Sequence, residues 1–224
     1  MIPINNVFEN LDATYKAFKD FIIDRNYSEQ NNEICWPSYK SGISKQVYSK
    51  QYEDLIANRQ FTFLLTDRSA VQIYYSYDNT GLKKIRLAYY PAPKTINIER
   101  EDIDTYYGET FSEALEAHYM LLHDLMGQGI SVSNTTHVRF DYDRDVTSHN
   151  TNHLQIDGIQ ELRIPFKHII LPFHFVDFII QNTYSDEYFK INKSPNIVYL
   201  LASSNKNLTD VDIGHDYYSI FMSM

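Results

Sequence analysis

AVQIYYSYDNTGLKKIRLAYY, residues 70–90, decides the fold class. Apolar residues alternate on either side of DNTG, with Asp78 and Gly81 at the ends of that tetrapeptide. Period two is the pleat of a strand, and a short Asn/Asp/Gly stretch between two such runs reads as a hairpin. Val71, Ile73 and Tyr75 fall on one face, and Ile85, Leu87 and Tyr89 fall on one face of the partner strand. FTFLLTD (61–67) supplies a preceding strand. Pro91 and Pro93 end the following one, because proline cannot donate to a ladder. The segment predicts an antiparallel meander with an apolar side and a mixed side.

On the N-terminal side, residues 5–25 read as an amphipathic helix capped by Asn5 or Asn6, with Phe8, Leu11, Tyr15, Phe18 and Ile22 at spacings of three and four. Residues 26–45 are polar, contain Pro37 and Gly42, and read as a loop with an apolar touch at Ile34–Trp36. A short helix is expected over 46–58. On the C-terminal side, residues 111–126 read as a helix capped by Ser112, with Leu115, Tyr119, Leu122 and Met126 inward. The acidic stretch 98–117 has seven carboxylates against one arginine and needs only the helix dipole to explain it. Three short strands follow, HVRFDYD from His137, HLQIDG from His153 and ELRIP up to Pro165. Pro172 then opens a mostly apolar helix over 173–184, IVYLLA (197–202) reads as a buried strand or helical piece, and DYYSIFMSM as an edge strand. The sum is one α+β domain over 1–224, a mostly antiparallel sheet with helices packed on one face. Residues 1–60 form a helical and loop element that either packs on the sheet or stands apart.

Composition narrows the function. The 224 residues (26.4 kDa) suit a single domain with a sizeable core. One cysteine, Cys35, excludes an internal disulfide framework and a multi-cysteine zinc site, and fits a reducing compartment. No apolar run reaches about 18 residues, and MIPINNVFENLD lacks the basic start of a secretory signal. A cytoplasmic protein without a membrane partner is expected. The net charge of -9 opposes non-specific binding to nucleic acid, which would need a local basic cleft. Nineteen tyrosines beside 13 phenylalanines and one tryptophan suit a core boundary that keeps hydroxyls at its edge, and base stacking is the alternative use.

The same period of two sorts the later strands. His137, Arg139, Asp141 and Asp143 point one way, against Val138, Phe140 and Tyr142. His153, Gln155 and Asp157 repeat the pattern against Leu154 and Ile156, and Arg163 between Leu162 and Ile164 can join them. If the apolar rows share a core, the polar rows share the opposite face, with cross-strand neighbours about 5 Å apart. His149 lies in the connecting loop. An imidazole near a carboxylate can serve as a general base, and arginine can clamp a phosphate, so such a group can bind or cleave a phosphodiester. A solvated face held by ion pairs is the plain alternative. No cofactor is predicted. A divalent metal remains open, with His149, His153 and either Asp141 or His137 as three N/O ligands for zinc or manganese. There is no HExxH, CxxC, HxH, GxGxxG or phosphate loop, and Gly127-Gln128-Gly129 reads as a helix end. His118, His123, His168, His174 and His215 read as structural or exposed, with His174 and Asp177 as a local i,i+3 pair. Cys35 has no base nearby in sequence.

RFDYD (139–143), HNTNHLQIDG (149–158), LRIPF (162–166) and LPFHFVDFIIQNTY (171–184) together resemble the C-terminal half of a bacterial family of unknown function, DUF2290. The matching positions are Arg139, Asp141, His149, His153, Arg163, Pro165, Pro172 and Tyr184. Gln155 stands where the family pattern has a second histidine, which weakens an H-x-H site. The resemblance implies a bacterial or phage-associated cytosolic protein, encoded near defence or mobile-element genes. A fainter similarity links the polar row to small toxin nucleases. Two functions follow as expectations. The first is a non-enzymatic interaction or accessory protein with a protein partner. The alternative is a phosphodiesterase or ribonuclease-like hydrolase, with His153 as general base or acid, His149 or His137 as its counterpart, and Arg139 with Arg163 steadying the phosphate. The oligomeric state is left open.

Overall fold

Alternation in the 70–90 segment becomes a hairpin at the centre of a larger antiparallel sheet. A computed structural model describes residues 2–39, 48–96, 120, 123–125, 127–128, 131–159 and 162–211. In chain order its elements begin with α1 (Ile4–Ala17), a 3-10 turn (Lys19–Phe21), β1 (Ile22–Arg25), β2 (Ser28–Gln30), β3 (Glu33–Cys35) and α2 (Tyr48–Ala57). Next come β4 (Phe63–Leu65), β5 (Ala70–Asp78), β6 (Gly81–Tyr90), β7 (Lys94–Ile96), β8 (Ser131–Ser133), β9 (Val138–Asp143) and β10 (Asn152–Ile156). The chain continues through β11 (Arg163–Pro165), β12 (His168–Ile169), α3 (Pro172–Thr183), α4 (Ser185–Ile191), α5 (Pro195–Lys206) and β13 (Thr209–Asp210).

The main sheet runs β1-β4-β5-β6-β9-β10-β11, with the β2–β3 hairpin joined to β5 through β3. Every pairing is antiparallel. Strands β5 and β6 set Val71 opposite Tyr89, Ile73 opposite Leu87 and Tyr75 opposite Ile85, the faces read from the sequence. Their turn is held locally, since the Asp78 carboxylate accepts from the Thr80 backbone N–H (2.8 Å) and hydroxyl (2.6 Å). Gly81 sits at φ 110°, a conformation that favours glycine.

One face of this sheet carries the main core. Val71, Ile73, Tyr75, Leu87 and Phe140 pack with Val7 and Leu11 of α1 and with Phe173, Val176 and Ile180 of α3. The buried Tyr75 hydroxyl donates to the Ile170 carbonyl at 2.6 Å, satisfying a polar tip inside the core. Pro172 and Pro195 start α3 and α5 where a missing N–H costs nothing. The fold is α+β, with a large antiparallel sheet and helices packed on one face. A second, smaller cluster lies on the other face, where Leu55 of α2 meets Phe61, Leu64, Ala70, Ala88 and Tyr90.

The chain divides into two compact units. Met1–Pro91 and Thr136–Met224 form the first, which holds the main sheet and includes α1 and β1–β3 from the first 60 residues. Ala92–Thr135 form the second. In it β7 pairs with β8, and the Asn134 amide donates to the Ala92 carbonyl at 2.8 Å.

Several local expectations change. The helix expected over 5–25 stops at Ala17, with Pro3 rather than an asparagine in the capping position, and Ile22 begins a strand. Phe18, Phe21 and Ile22 are buried beyond the helix end, so the spacing of buried residues outlasts the helix. The expected loop 26–45 contains the β2–β3 hairpin. Its two connecting residues, Asn31 (φ 53°) and Asn32 (φ 61°), adopt the left-handed values that a two-residue hairpin turn demands and asparagine tolerates. Of the two readings of 197–202 the helical piece holds, since it lies inside α5, and its burial is only partial, with Val198 and Tyr199 exposed. Most of the expected 111–126 helix, the acidic stretch 98–117, His118, His215 and the C-terminal edge strand lie outside the described residues. No described helix is long and apolar enough to cross a membrane.

Phe140, fully buried at the centre of β9, tests the shared core. Phe140→Ala is expected to lower the unfolding free energy by about 3–5 kcal/mol in a denaturant titration, through lost burial plus the cavity left behind.

Candidate functional site

Four neighbouring strands carry the polar row. Opposite Asp141 stand Arg86 on β6 and His153 on β10, and His153 in turn faces Pro165 on β11. One step along, Arg139 stands between Ala88 and Gln155, and Gln155 faces Arg163. The intervening apolar residues Leu87, Phe140, Leu154 and Ile164 belong to the main core or pack against it. The pleat therefore sets Arg139, Asp141, His153, Gln155 and Arg163 on one face as a contiguous block.

Asp141 is the hinge of this block. Its Oδ2 accepts from Arg139 Nε at 2.7 Å and its Oδ1 from Arg86 Nε at 3.4 Å. With its amide oxygen turned toward Arg139, Gln155 accepts from Nε (3.2 Å) and Nη2 (2.5 Å) of the same guanidinium. Arg139 is thus held from two sides, and Asp141 is shared between two cations. The outer pair Lys84–Asp143 closes at 2.7 Å. Arg163 is different: its side chain is exposed and makes no hydrogen bond or ion pair among the described residues.

The three candidate histidines occupy three environments. His153 is 3% exposed, and its Nδ1 is 3.0 Å from the Asn150 carbonyl. An oxygen there selects the Nδ1–H tautomer and leaves Nε2 as the basic nitrogen. Burial pushes this imidazole below its ordinary 6.5, while the Asn150 carbonyl and Asp141 pull it up. His149 is exposed, anchored by Nδ1 to Ser148 Oγ at 2.9 Å, and its ring stands edge-on to that of His153 with centroids 5.0 Å apart. His137 lies at the other end of the row. Its ring stacks on Tyr90 (4.6 Å, 20°), and neither ring nitrogen has a hydrogen-bond partner among the described residues. The Asp157 carboxylate is 3.8 Å from Nδ1, too far for a hydrogen bond. Burial drives His137 below 6.5 as well.

The structure brings Arg139, Asp141, His149, His153 and Arg163 together and leaves His137 apart. Four residues of extended strand, roughly 13 Å, separate His137 from the level of Asp141 and His153. Among the described residues no group of three or more His, Cys, Asp or Glu is arranged to hold a metal ion, so His149 and His153 do not meet Asp141 or His137 in that way. His174 and Asp177 do not pair with each other: His174 Nε2 meets Asn205 (3.0 Å), and Asp177 accepts from the Tyr188 hydroxyl (2.9 Å). Two participants escaped the sequence reading. Arg86 follows from the 70–90 hairpin once β6 is placed beside β9, because Lys84 and Arg86 alternate with Ile85 and Leu87. The Tyr90 stack has no local signal.

The family model described as "Uncharacterized conserved protein (DUF2290)" matches residues 17–217. The chain belongs to that family. The match extends well beyond the 137–184 stretch that carried the resemblance, so its reach is not confined to the C-terminal half. Nothing among curated proteins or solved structures matches the chain. In this DUF2290 chain the matched segment runs from the end of α1 through the whole polar row and α2–α5 to β13.

Buried imidazoles make stability depend on pH. An unfolded histidine takes up its proton near 6.5, whereas folded His137, His153 and His174 do so lower. The unfolded chain therefore binds more protons below 6.5, and stability that is full above this value is lost as pH falls toward the folded values. Asp177 acts the other way, since burial raises its carboxyl above 3.8. A variant isolates the imidazole effect. His137→Phe keeps the stack on Tyr90 and removes two buried nitrogens that have no hydrogen-bond partner among the described residues. It is expected to raise stability by about 1 kcal/mol at pH 7 and to flatten the fall in Tm between pH 7 and 5, read by calorimetry. An unchanged slope would assign the pH dependence elsewhere.

Proposed function

We propose that this protein is a non-enzymatic interaction or accessory protein whose docking surface for a protein partner lies on α4 and α5. Phe189 (68% exposed), Val198 (52%) and Tyr199 (71%) carry this reading. Three large apolar side chains within eleven residues of two consecutive helices stand out against a chain whose other described aromatic residues are mostly buried or half-buried. Aromatic residues of this kind are the anchors that protein interfaces favour. The polar row supports the same reading, because Asp141 is occupied by two arginines and is not hydrogen-bonded to either His149 or His153. The setting in a bacterial defence or mobile-element system, and the cytoplasmic location, extend the family resemblance and belong to the proposal.

A hydrolase acting on phosphodiesters is the second reading, favoured by the perpendicular His149–His153 pair. Two imidazoles beside one another can divide the roles of general acid and base. In that reading His153 and His149 act on the ester, while Arg163 and the tethered Arg139 hold the phosphate.

The two readings separate experimentally. The double variant Phe189→Asp/Tyr199→Asp is expected to lose a defined partner that wild type retains from native host extract, with Tm nearly unchanged, while Arg163→Ala keeps it. Identical protein sets from both forms would refute the docking surface. Cleavage of an oligonucleotide by wild type, abolished in His149→Ala without loss of Tm, would establish the hydrolase reading instead.

A further inference from the structure

Arginine is rarely left alone in an acidic protein. Here 29 carboxylates face 20 cations, and the other arginines near the row each meet a carboxylate. Arg86 and Arg139 share Asp141, and Arg144 pairs with Asp78. Arg163 has no such partner among the described residues, although it stands in the same cross-strand line as Arg139 and Gln155.

That line has a definite polarity. Turned toward Arg139, the Gln155 oxygen is consumed, which directs the amide N–H groups away from that guanidinium. Three adjacent strands then set polar side chains side by side: Arg139, one-fifth exposed (22%), then Gln155, whose amide also hydrogen-bonds His153, then the exposed Arg163. Arg139 and Arg163 are two strand spacings apart, about 10 Å, enough for one tetrahedral anion gripped from both sides. His149 and His153 border the same block through the strand that carries Gln155. Guanidinium forks match phosphate oxygens two at a time, and those oxygens accept without needing to donate. We infer that Arg163, Gln155 and Arg139 bind the phosphate group of an organic phosphate ester, with His149 and His153 beside it.

This inference lies on a different surface from the α4–α5 docking role and deepens only the binding half of the hydrolase reading. Binding without cleavage leaves it standing while that reading falls. The test is calorimetric titration of the full chain with inorganic phosphate, a nucleoside 5′-monophosphate and a dinucleotide, accompanied by histidine C–H signals in proton NMR. Saturable binding of at least one ester is expected, with shifts in the His149 and His153 signals. The monophosphate and dinucleotide arms distinguish a monoester from a diester source. Arg163→Ala is expected to weaken binding at least tenfold and to leave the ligand-free Tm unchanged, because the side chain is exposed and has no partner among the described residues. Arg163→Lys is expected to restore little, since a point charge cannot replace the fork. Absence of binding by both esters at millimolar concentration would overturn the inference. So would unshifted histidine signals, or full rescue by lysine, which would reduce the site to a diffuse charge effect.

Discussion

Phe140 and Asp141 occupy successive positions of one strand, so when one side chain enters the core the other must leave it. Every feature of the polar block depends on that constraint. The core claims Phe140 together with Leu87, Leu154 and Ile164 from the flanking strands, and the register of β6, β9, β10 and β11 follows. A slip of one residue would bury Arg139 and Asp141 and expose Phe140, which no arrangement of ion pairs could offset. The polar residues are therefore placed by the apolar ones. Their own attractions only refine the geometry, as expected for partly exposed ion pairs whose net contribution is small.

This division explains what was legible beforehand. Alternation is local, so Val71, Ile73 and Tyr75, and likewise Arg139, Asp141, His153 and Gln155, could be assigned to faces directly from spacing. Antiparallel pairing of β9 with β10 followed from a short connecting loop, and the pairing made the row co-facial. Proline marked the starts of α3 and α5 for an equally local reason.

What was not legible is of two kinds. One is weak local signals overridden by packing. The helix α1 ends at Ala17 although Phe18, Phe21 and Ile22 remain buried, because burial of a run does not specify which backbone delivers it. The polar hairpin β2–β3 is hidden for the opposite reason: of its residues only Ile34 is fully buried, and its turn uses two asparagines without glycine. The other kind is long-range partnership. The sequence offers Asp141 to an imidazole, a metal or an ion pair on a solvated face, but not the identity of its second cation, Arg86, 55 residues earlier. His137 belonged to the polar row by parity, yet its ring lies against Tyr90 at the far end, a contact between residues 47 positions apart.

Gln155 shows how these levels meet. The resemblance implies a histidine at this place, and glutamine there weakens a reading in which two imidazoles one residue apart perform chemistry. In the structure the side chain at 155 works as an acceptor for Arg139, through an oxygen that needs no proton equilibrium to do so. A neutral imidazole could supply one lone pair to the same guanidinium, and the nearby positive charge would favour its neutral form. Glutamine at 155 thus holds Arg139 as an imidazole lone pair could, although it cannot act as a proton carrier. Gln155 therefore serves the shape and polarity of the block, which directs attention from residue 155 to Arg163 across the strand, whose guanidinium has no partner among the described residues.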